Sequence, residues 1–353
     1  MMPFGLRPDQ LITELMEFNR LAVEGIQTLS RIDNVDVGRT PNETIYQQDK
    51  LRLRYYPAAT TEVSTPLLIV YALVNRPYIL DLQPDRSLIA ALGARGIPVY
   101  LIDWGYPDAA DRYLDLDDYI NDYLDSCVEQ VRQHASSTQV NLLGVCQGGA
   151  FSLCYSALQP DKVKNLITLV TPVDFHTEDN LLAALARQID AQLVIDAYGN
   201  FPGSMMTRAY NSLMPMRLGL HKQLNLPQQL NNRRTAINYL RMERWINDCP
   251  DLTGAGFKEF LEKFFQDNGL VTGKLAIGDR WVDLKQQTQP VLNLFASKDH
   301  LVPPSASRAL APLTGSTDYQ EKEYPGGHIG VFVGRHAQQV LPDDIATWLK
   351  QRD

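Results

Sequence analysis

The amino-acid sequence predicts an α/β fold built on a mostly parallel sheet. Apolar runs such as PLLIVYAL (66–73) and IPVYLIDWG (97–105) alternate with helical stretches up to residue 173. Continuous apolar runs are typical of strands covered on both faces, and their alternation with helices favours parallel pairing. A third observation is the glycine-rich turn in VNLLGVCQGG (140–149), which joins a strand directly to a helix. Such sheets bind ligands at the carboxyl ends of their strands, so we expect the site there.

The elements follow in order along the chain. Residues 8–30 place apolar side chains at three- and four-residue steps, which predicts an amphipathic helix. Residues 44–56 alternate leucine with arginine, which predicts a hairpin. The remaining core elements are expected as strand 66–73, helix 85–96, strand 97–105, helix 114–135, strand 140–146, helix 147–158, strand 163–173 and a sheet that resumes at 290–304.

The alternation stops between residues 174 and 288, which look mostly helical and rich in aromatic residues. An insertion between two core strands at this point predicts a cap, or lid, over the carboxyl ends of the strands. The predicted organisation is therefore an N-terminal helical segment (1–43), a core (44–173 and 289–353) and a cap subdomain (174–288).

Composition excludes several classes of function. The chain has 353 residues, 44% hydrophobic and 21% charged, with a net charge of −8. Binding to nucleic acid as a main role calls for a basic face, which this balance disfavours. No apolar run reaches the roughly 18 residues of a membrane span, and no secretory signal is visible, so we expect a cytoplasmic protein. The four cysteines fit no zinc pattern; Cys127 and Cys154 lie in apolar helical stretches and are expected to be buried and inert.

Cys146 occupies the position of a nucleophile in a strand-to-helix elbow. Gly144 and Gly148 flank it at two residues on either side, in the pattern G-x-nucleophile-x-G. The flanking positions need glycine because a side chain there would collide with neighbouring backbone. The following helix directs its N-terminus at the site, which favours a thiolate and a developing oxyanion. A buried cysteine in a glycine-rich turn is the alternative, but the strand before and the helix after argue against it.

A thiol nucleophile needs a base, and the base needs an acid that orients it. In this architecture the chain order is nucleophile, acid, base. Asp299 follows the strand VLNLFA, and His328 in YPGGHIG follows the candidate last strand, so the order fits. His300 adjoins Asp299 and is expected to have a structural or supporting role. The competing acids are Asp103, Asp108 and Asp174.

The oxyanion hole is expected to use two backbone N–H groups. One belongs to Gln147, the residue after the nucleophile, and the other to the loop after an earlier strand. That loop is YALVNRPYILD (71–81), and Val74 is the candidate.

Several of these segments resemble polyhydroxyalkanoate synthases. They are LLIVYALVNRPYILDLQPDRS, YLIDWGYPD, NLLGVCQGGAFSLCYSAL, LVTPVDF, LFASKDHLVPPSASRAL and YPGGHIG. Chain length and GVCQGG are most similar to the catalytic subunit of the class III enzymes. The resemblance covers almost the whole chain and is weakest across 175–235. It implies an α/β-hydrolase fold with a mobile cap, and it makes Cys146 the nucleophile, Asp299 the acid and His328 the base.

The resemblance also implies a reaction. The substrate would be an (R)-3-hydroxyacyl-CoA of the short-chain type, 3-hydroxybutyryl-CoA, which acylates the cysteine, releases CoA and is then joined into a polyester. The CoA thioester is itself the substrate, so no cofactor is expected. Two alternatives are a cysteine hydrolase of the thioesterase or dienelactone type on the same fold, and a non-catalytic interaction protein. The products distinguish the three possibilities. A synthase makes polyester, a hydrolase makes free hydroxy acid, and an interaction protein releases no CoA.

Partners are implied in the same way. Other classes of the resembling family carry a long N-terminal extension, whereas only a short segment precedes the predicted sheet here. We therefore expect an accessory synthase subunit of the class III type, a homodimer of the catalytic subunit, and association with the surface of polyester granules.

Overall fold

The computed structural model describes residues 8–213 and 221–353. The strands in these residues are β1 (Glu43–Gln48), β2 (Leu51–Tyr56), β3 (Leu67–Val70), β4 (Asp81–Gln83), β5 (Arg86–Ser87), β6 (Val99–Asp103), β7 (Val140–Val145), β8 (Val163–Leu169), β9 (Ala276–Ile277), β10 (Arg280–Trp281), β11 (Val291–Ala296) and β12 (Tyr319–Tyr324).

Helices cover both the core and the insertion. They are α1 (Pro8–Leu29), α2 (Leu88–Gly93), α3 (Asp125–Ala135), α4 (Gln147–Leu158), α5 (Leu181–Ala186), α6 (Ala191–Tyr198), α7 (Gly203–Leu213), α8 (His221–Leu230), α9 (Arg233–Asn247), α10 (Gly254–Phe260), α11 (Gly269–Thr272), α12 (Pro304–Arg308), α13 (Leu310–Leu313), α14 (Gly330–Val333) and α15 (Arg335–Lys350). Within the described chain the insertion is mostly helical, as predicted, apart from the short pair β9–β10.

Eight of these strands form the main sheet, in the order β1-β2-β6-β3-β7-β8-β11-β12. The run from β6 to β12 is parallel, and the hairpin β1–β2 joins it antiparallel at β6. The predicted α/β-hydrolase architecture is confirmed. Its parallel strands bring the loops after β3, β7, β11 and β12 to one edge of the sheet, where all the predicted site residues lie.

Several predicted elements are present but shorter. The strand expected over 66–73 ends at Val70, because the chain leaves the sheet there to form a loop beside α4. The helix expected from residue 85 begins only at Leu88, where the Ser87 hydroxyl accepts the N–H of Ala90 at 2.9 Å and caps it. The helix expected over 114–135 starts with π-helical turns, Asp118–Leu124, before α3 continues it.

The described residues divide into two compact units. Of the described residues, one unit comprises 8–37, 207–213 and 221–247, and the other comprises 38–206 and 248–353, so the predicted insertion 174–288 contributes to both. Residues 1–7 of the predicted N-terminal segment and residues 214–220 of the predicted cap lie outside the described residues. The role of 174–288 as a cap stays a prediction.

In the first unit α1 packs on α8 and α9. The close approach occurs at Gly25, where an added Cβ would lie 2.9 Å from the Cβ of Leu230. The helix itself is confirmed, but the apolar positions that predicted it do not mark a buried face, since Leu15 is 53% exposed and Ile26 is 67% exposed.

In the second unit an aromatic cluster ties the end of the insertion to the core. Phe260 lies edge-on to Phe151 of α4, with ring centroids 6.0 Å apart, and stacks on Phe264 at 4.5 Å. Phe175, at the start of the insertion, contacts Phe265 at 4.8 Å. Packing of these rings against one another explains why residues 248–288 belong to the same unit as the sheet. No helix among the described residues is both long and apolar enough to cross a membrane.

Candidate active site

Cys146 lies on a strained elbow between β7 and α4. Its backbone has φ 53° and ψ −120°, a conformation that non-glycine residues rarely adopt. A Cβ on Gly144 would stand 2.5 Å from the Cα of Gly149, and one on Gly148 would overlap the carbonyl oxygen of Val70. The steric reason given for the glycines is therefore confirmed. A third glycine, Gly149, is required as well, because its Cβ would overlap the side chain of Thr171.

The structure brings Cys146, Asp299 and His328 together, although they come from three different loops. Nδ1 of His328 lies 2.7 Å from Oδ2 of Asp299, and both side chains are buried. The other carboxylate oxygen accepts the N–H groups of Leu301 and Val302, each at 2.9 Å. Asp299 is thus held by its own turn, and it orients the imidazole so that Nε2 is left for the Cys146 thiol, to which His328 is hydrogen-bonded.

The protonation of His328 reflects opposing effects. Burial disfavours the charged imidazolium, but the charges of Asp299 and Cys146 and the hydrogen bonds to both outweigh it and raise the pKa of His328 to about 10. These interactions favour the charged form of the imidazole. Because the folded pKa lies above the unfolded value of about 6.5, the interaction stabilises the fold fully below that pH, and its contribution is lost as the pH rises through the folded value.

The predicted oxyanion loop runs beside the start of α4. The N–H of Leu73 donates to Oε1 of Gln147 at 3.0 Å, and the indole N–H of Trp104 donates to the carbonyl of Tyr71 at 2.8 Å. Val74 is the next residue along and is half-buried. The N–H of Gln147 is in the first turn of α4, where N–H groups have no intrahelical acceptor. The roles of both N–H groups stay predictions, and the side-chain contact of Gln147 was not foreseen.

An ion pair joins two of the segments that carry the resemblance, LLIVYALVNRPYILDLQPDRS and YLIDWGYPD. The guanidinium of Arg76 donates to one carboxylate oxygen of Asp103, and Arg54 donates to the other at 3.1 Å. The same guanidinium lies 4.1 Å from the ring centre of Tyr106 and also donates to the carbonyl of Gly105. Asp103 is therefore engaged in structural contacts with two arginines.

The other competing groups are also engaged elsewhere. Asp174 accepts the N–H of His176 and the side-chain amide of Asn268, each at 2.8 Å, and Asp108 is ion-paired with Lys50. Burial raises the pKa of the Cys127 and Cys154 thiols, which agrees with the inert role predicted for them. The structural or supporting role of His300, which is half-buried beside Asp299, stays a prediction.

Comparison with known proteins identifies the family. A family model described as the alpha/beta hydrolase fold matches residues 65–335, and one described as the N-terminus of poly-beta-hydroxybutyrate polymerase (PhaC) matches 19–92. The poly(3-hydroxyalkanoate) polymerase subunit PhaC of Allochromatium vinosum is 50% identical over the whole of both chains. The chain belongs to the PhaC family of poly(3-hydroxyalkanoate) polymerases. It is accordingly an acyltransferase of polyhydroxyalkanoate synthesis.

Other relatives of this PhaC chain agree with the assignment. The protein of the same name from Synechocystis sp. is 45% identical, over all of this chain and 96% of its own. Among solved structures, a soluble variant of monoglyceride lipase from Saccharomyces cerevisiae covers 90% of the chain and 97% of its own length with a TM-score of 0.55 at 14% identity. A monoacylglycerol lipase from Paleococcus ferrophilus gives a TM-score of 0.53 at 16% identity, over 86% of this chain and all of its own. At 16% and 14% identity these two structures support the fold of the chain, but not its activity or substrate.

Alkylation of Cys146 in this PhaC chain is expected to lower the pKa of His328. Carboxamidomethylation removes the Coulombic and hydrogen-bond interactions with Cys146, which are two of the effects that raise the pKa of His328. Ring-labelled histidine followed by NMR across the pH range, before and after iodoacetamide, measures the change. The experiment uses the Cys249→Ala variant, because Cys249 is also half-buried whereas Cys127 and Cys154 are buried. Cys146 is then the one half-buried thiol among these four cysteines. An unchanged or higher pKa of His328 would contradict the pairing.

Asp103→Ala is expected to destabilise the PhaC chain strongly. The Arg76 side chain is only 9% exposed, so removing the Asp103 carboxylate takes away the negative charge that compensates a buried guanidinium. Breaking a buried pair in this way costs about 3–5 kcal/mol in the free energy of unfolding. The control is Asp343→Ala, which removes the partner of Arg95 from an exposed pair and should change little. Urea denaturation compares the two; equal free energies would refute a structural role for Asp103.

Proposed function

We propose that the chain polymerises (R)-3-hydroxyacyl-CoA, of the short-chain type 3-hydroxybutyryl-CoA, and releases CoA through a covalent thioester on Cys146. The observation that carries the proposal is a cysteine, rather than a serine, on a strained elbow and hydrogen-bonded to the His328–Asp299 pair. Membership of a family of polymerases supports it, since these enzymes join hydroxyacyl units into polyester.

The first step is acylation of the enzyme. The Cys146 thiolate attacks the thioester carbonyl of the substrate, and the carbonyl oxygen becomes an oxyanion held by the N–H groups of Gln147 and Val74. The bond from carbon to the sulfur of CoA breaks, and His328 gives its proton to the departing CoA thiolate. The products are free CoA and an acyl group bound to Cys146 as a thioester.

The second step forms the ester bond. With the thiolate consumed, the pKa of His328 falls, because one of the charges that raised it is gone. The neutral imidazole then accepts the proton of a hydroxyl group on a second acyl unit, whose oxygen attacks the acyl-cysteine. The bond from carbon to Cys146 sulfur breaks, an ester forms, and the thiolate and the imidazolium are restored.

The order of these two reaction steps explains why the nucleophile is a thiol rather than a hydroxyl. Transfer from one thioester to another keeps the acyl group activated for the ester-forming step, whereas a serine would already have made an ordinary ester. Water competes with the incoming hydroxyl for the same acyl-enzyme. We therefore assign to residues 174–288 the role of a cap that limits the access of water during extension.

Incubation with (R)-3-hydroxybutyryl-CoA tests the proposal. The expected products are CoA, measured with a thiol reagent, and insoluble polyester, measured by methanolysis and gas chromatography. A hydrolase of the thioesterase or dienelactone type would release CoA with soluble 3-hydroxybutyrate instead. Failure to release CoA, both without and with the accessory protein, would contradict the proposed reaction.

The proposal includes partners. The resemblance to class III catalytic subunits supports an accessory subunit, a homodimer and attachment to the polyester granule. A bulky acyl-CoA must enter and a polymer must leave, so a partner that binds an open state of the enzyme more tightly would raise activity. Initial rate and lag are measured for the purified chain and again with the accessory protein added. Full polymerisation without a lag by the chain alone would refute the need for a partner.

A further inference from the structure

Gln147 has a buried polar side chain whose contact lies outside its own helix. The residue is only 6% exposed and begins α4 directly after Cys146. Its Oε1 accepts the N–H of Leu73 at 3.0 Å, across 74 positions of sequence. An acceptor in this place ties the start of α4 to the loop after β3.

That loop is fixed on both sides of Val74. On one side the carbonyl of Tyr71 accepts the indole N–H of Trp104, and on the other side Arg76 is held by Asp103. Between them Asn75 has φ 59°, a left-handed conformation that turns the chain sharply. The hydrogen bond from the N–H of Leu73 to Gln147 connects this segment to the elbow that carries Cys146.

We infer that the side-chain amide of Gln147 is a positioning group for the oxyanion hole, an inference that rests on the function proposed above. The N–H of Gln147 and the N–H of Val74 would bind the same oxyanion, so their separation must be held constant. The Oε1 contact does this, because it joins the residue that carries the first donor to the residue before the second.

The chemistry of the side chain suits this task. An amide oxygen accepts a hydrogen bond without bringing a negative charge next to a developing oxyanion, whereas a carboxylate would repel it. The missing Cβ of Gly148 lets the Val70 and Tyr71 carbonyls come close to α4, and this proximity places Leu73 within reach of Gln147.

Gln147→Met tests the inference, because methionine has nearly the same length and no strong acceptor. We expect single-turnover CoA release from saturating 3-hydroxybutyryl-CoA to fall about 10- to 100-fold, less than the roughly 10²–10³-fold loss for deleting an oxyanion donor outright. Alkylation of Cys146 by iodoacetamide, in which the thiolate displaces iodide and no oxyanion forms, should keep its wild-type rate.

The control is Ser152→Ala, which removes another buried hydrogen bond of α4, from the Ser152 hydroxyl to the carbonyl of Gly148, and should leave both rates unchanged. If the methionine variant does not fold, Gln147→Asn is used instead, because it keeps a buried amide that is one methylene too short to reach the N–H of Leu73. Its CoA release should be slowed while alkylation of Cys146 keeps its wild-type rate.

Two outcomes would overturn the inference: wild-type CoA release by the variants, or an equal loss of alkylation and acylation. Failure of the proposed function is a separate result, in which the wild-type chain itself releases no CoA.

Discussion

Cys146→Ala is expected to abolish CoA release and polymer formation while leaving the chain folded. Alanine keeps the Cβ that the elbow already accommodates at φ 53° and removes only the sulfur. Loss of the nucleophile from a comparable triad costs about 10⁶-fold in turnover. Cys146→Ser should also be severely impaired, because its hydroxyl is far less acidic than a thiol and its acyl product is less activated.

Turnover of 3-hydroxybutyryl-CoA and thermal unfolding are measured together for both variants. The matched control is Cys249→Ala, which removes another half-buried thiol and should retain activity. Polymer from the alanine variant would show that Cys146 is not the nucleophile.

Asp299→Asn is expected to slow chain extension more than acylation. Asparagine can still accept the N–H groups of Leu301 and Val302, so the turn should persist. Its amide N–H₂, however, would face Nδ1 of His328 in place of the carboxylate. In a serine triad this exchange costs about 10⁴-fold in rate. A thiol depends less on its base than the substrate hydroxyl does, so the loss in acylation should be the smaller one.

Single-turnover CoA release reports acylation, and steady-state polymerisation reports extension. Asp283→Asn is the control. The Asp283 carboxylate accepts the backbone N–H of Lys285, two residues later, at 2.9 Å, as Asp299 does with Leu301, but no histidine in the described part of the chain is bonded to it. Equal losses in the two steps of Asp299→Asn would contradict the assignment of both steps to His328.

The prediction of α1 shows where sequence patterns stop being informative. Apolar residues at helical spacing predicted the helix, because spacing follows from the geometry of the helix alone. The pattern did not identify the buried side of the helix: Gly25 is buried against Leu230, while Leu15 and Ile26 are exposed. Likewise the aromatic residues of 257–265 were visible in the sequence, but their packing on Phe151 was not.

The sequence by itself determined the parts of this protein whose constraints are local or follow from chain order. The elbow at Cys146 could be predicted because its strand, turn, glycines and helix fall within some twenty residues. Asp299 and His328 could be predicted because each follows a strand in the order that the architecture requires.

Only the tertiary structure decided the contacts between loops that are distant in sequence. The bond from Leu73 to Gln147, the pair of Arg76 with Asp103 and the division of residues 174–288 between two units are of this kind. The identity of a residue determines which hydrogen bonds its side chain can donate or accept and how much apolar surface it can bury. Its partner depends on which backbones the parallel sheet brings together, and that is settled only when the whole chain has folded.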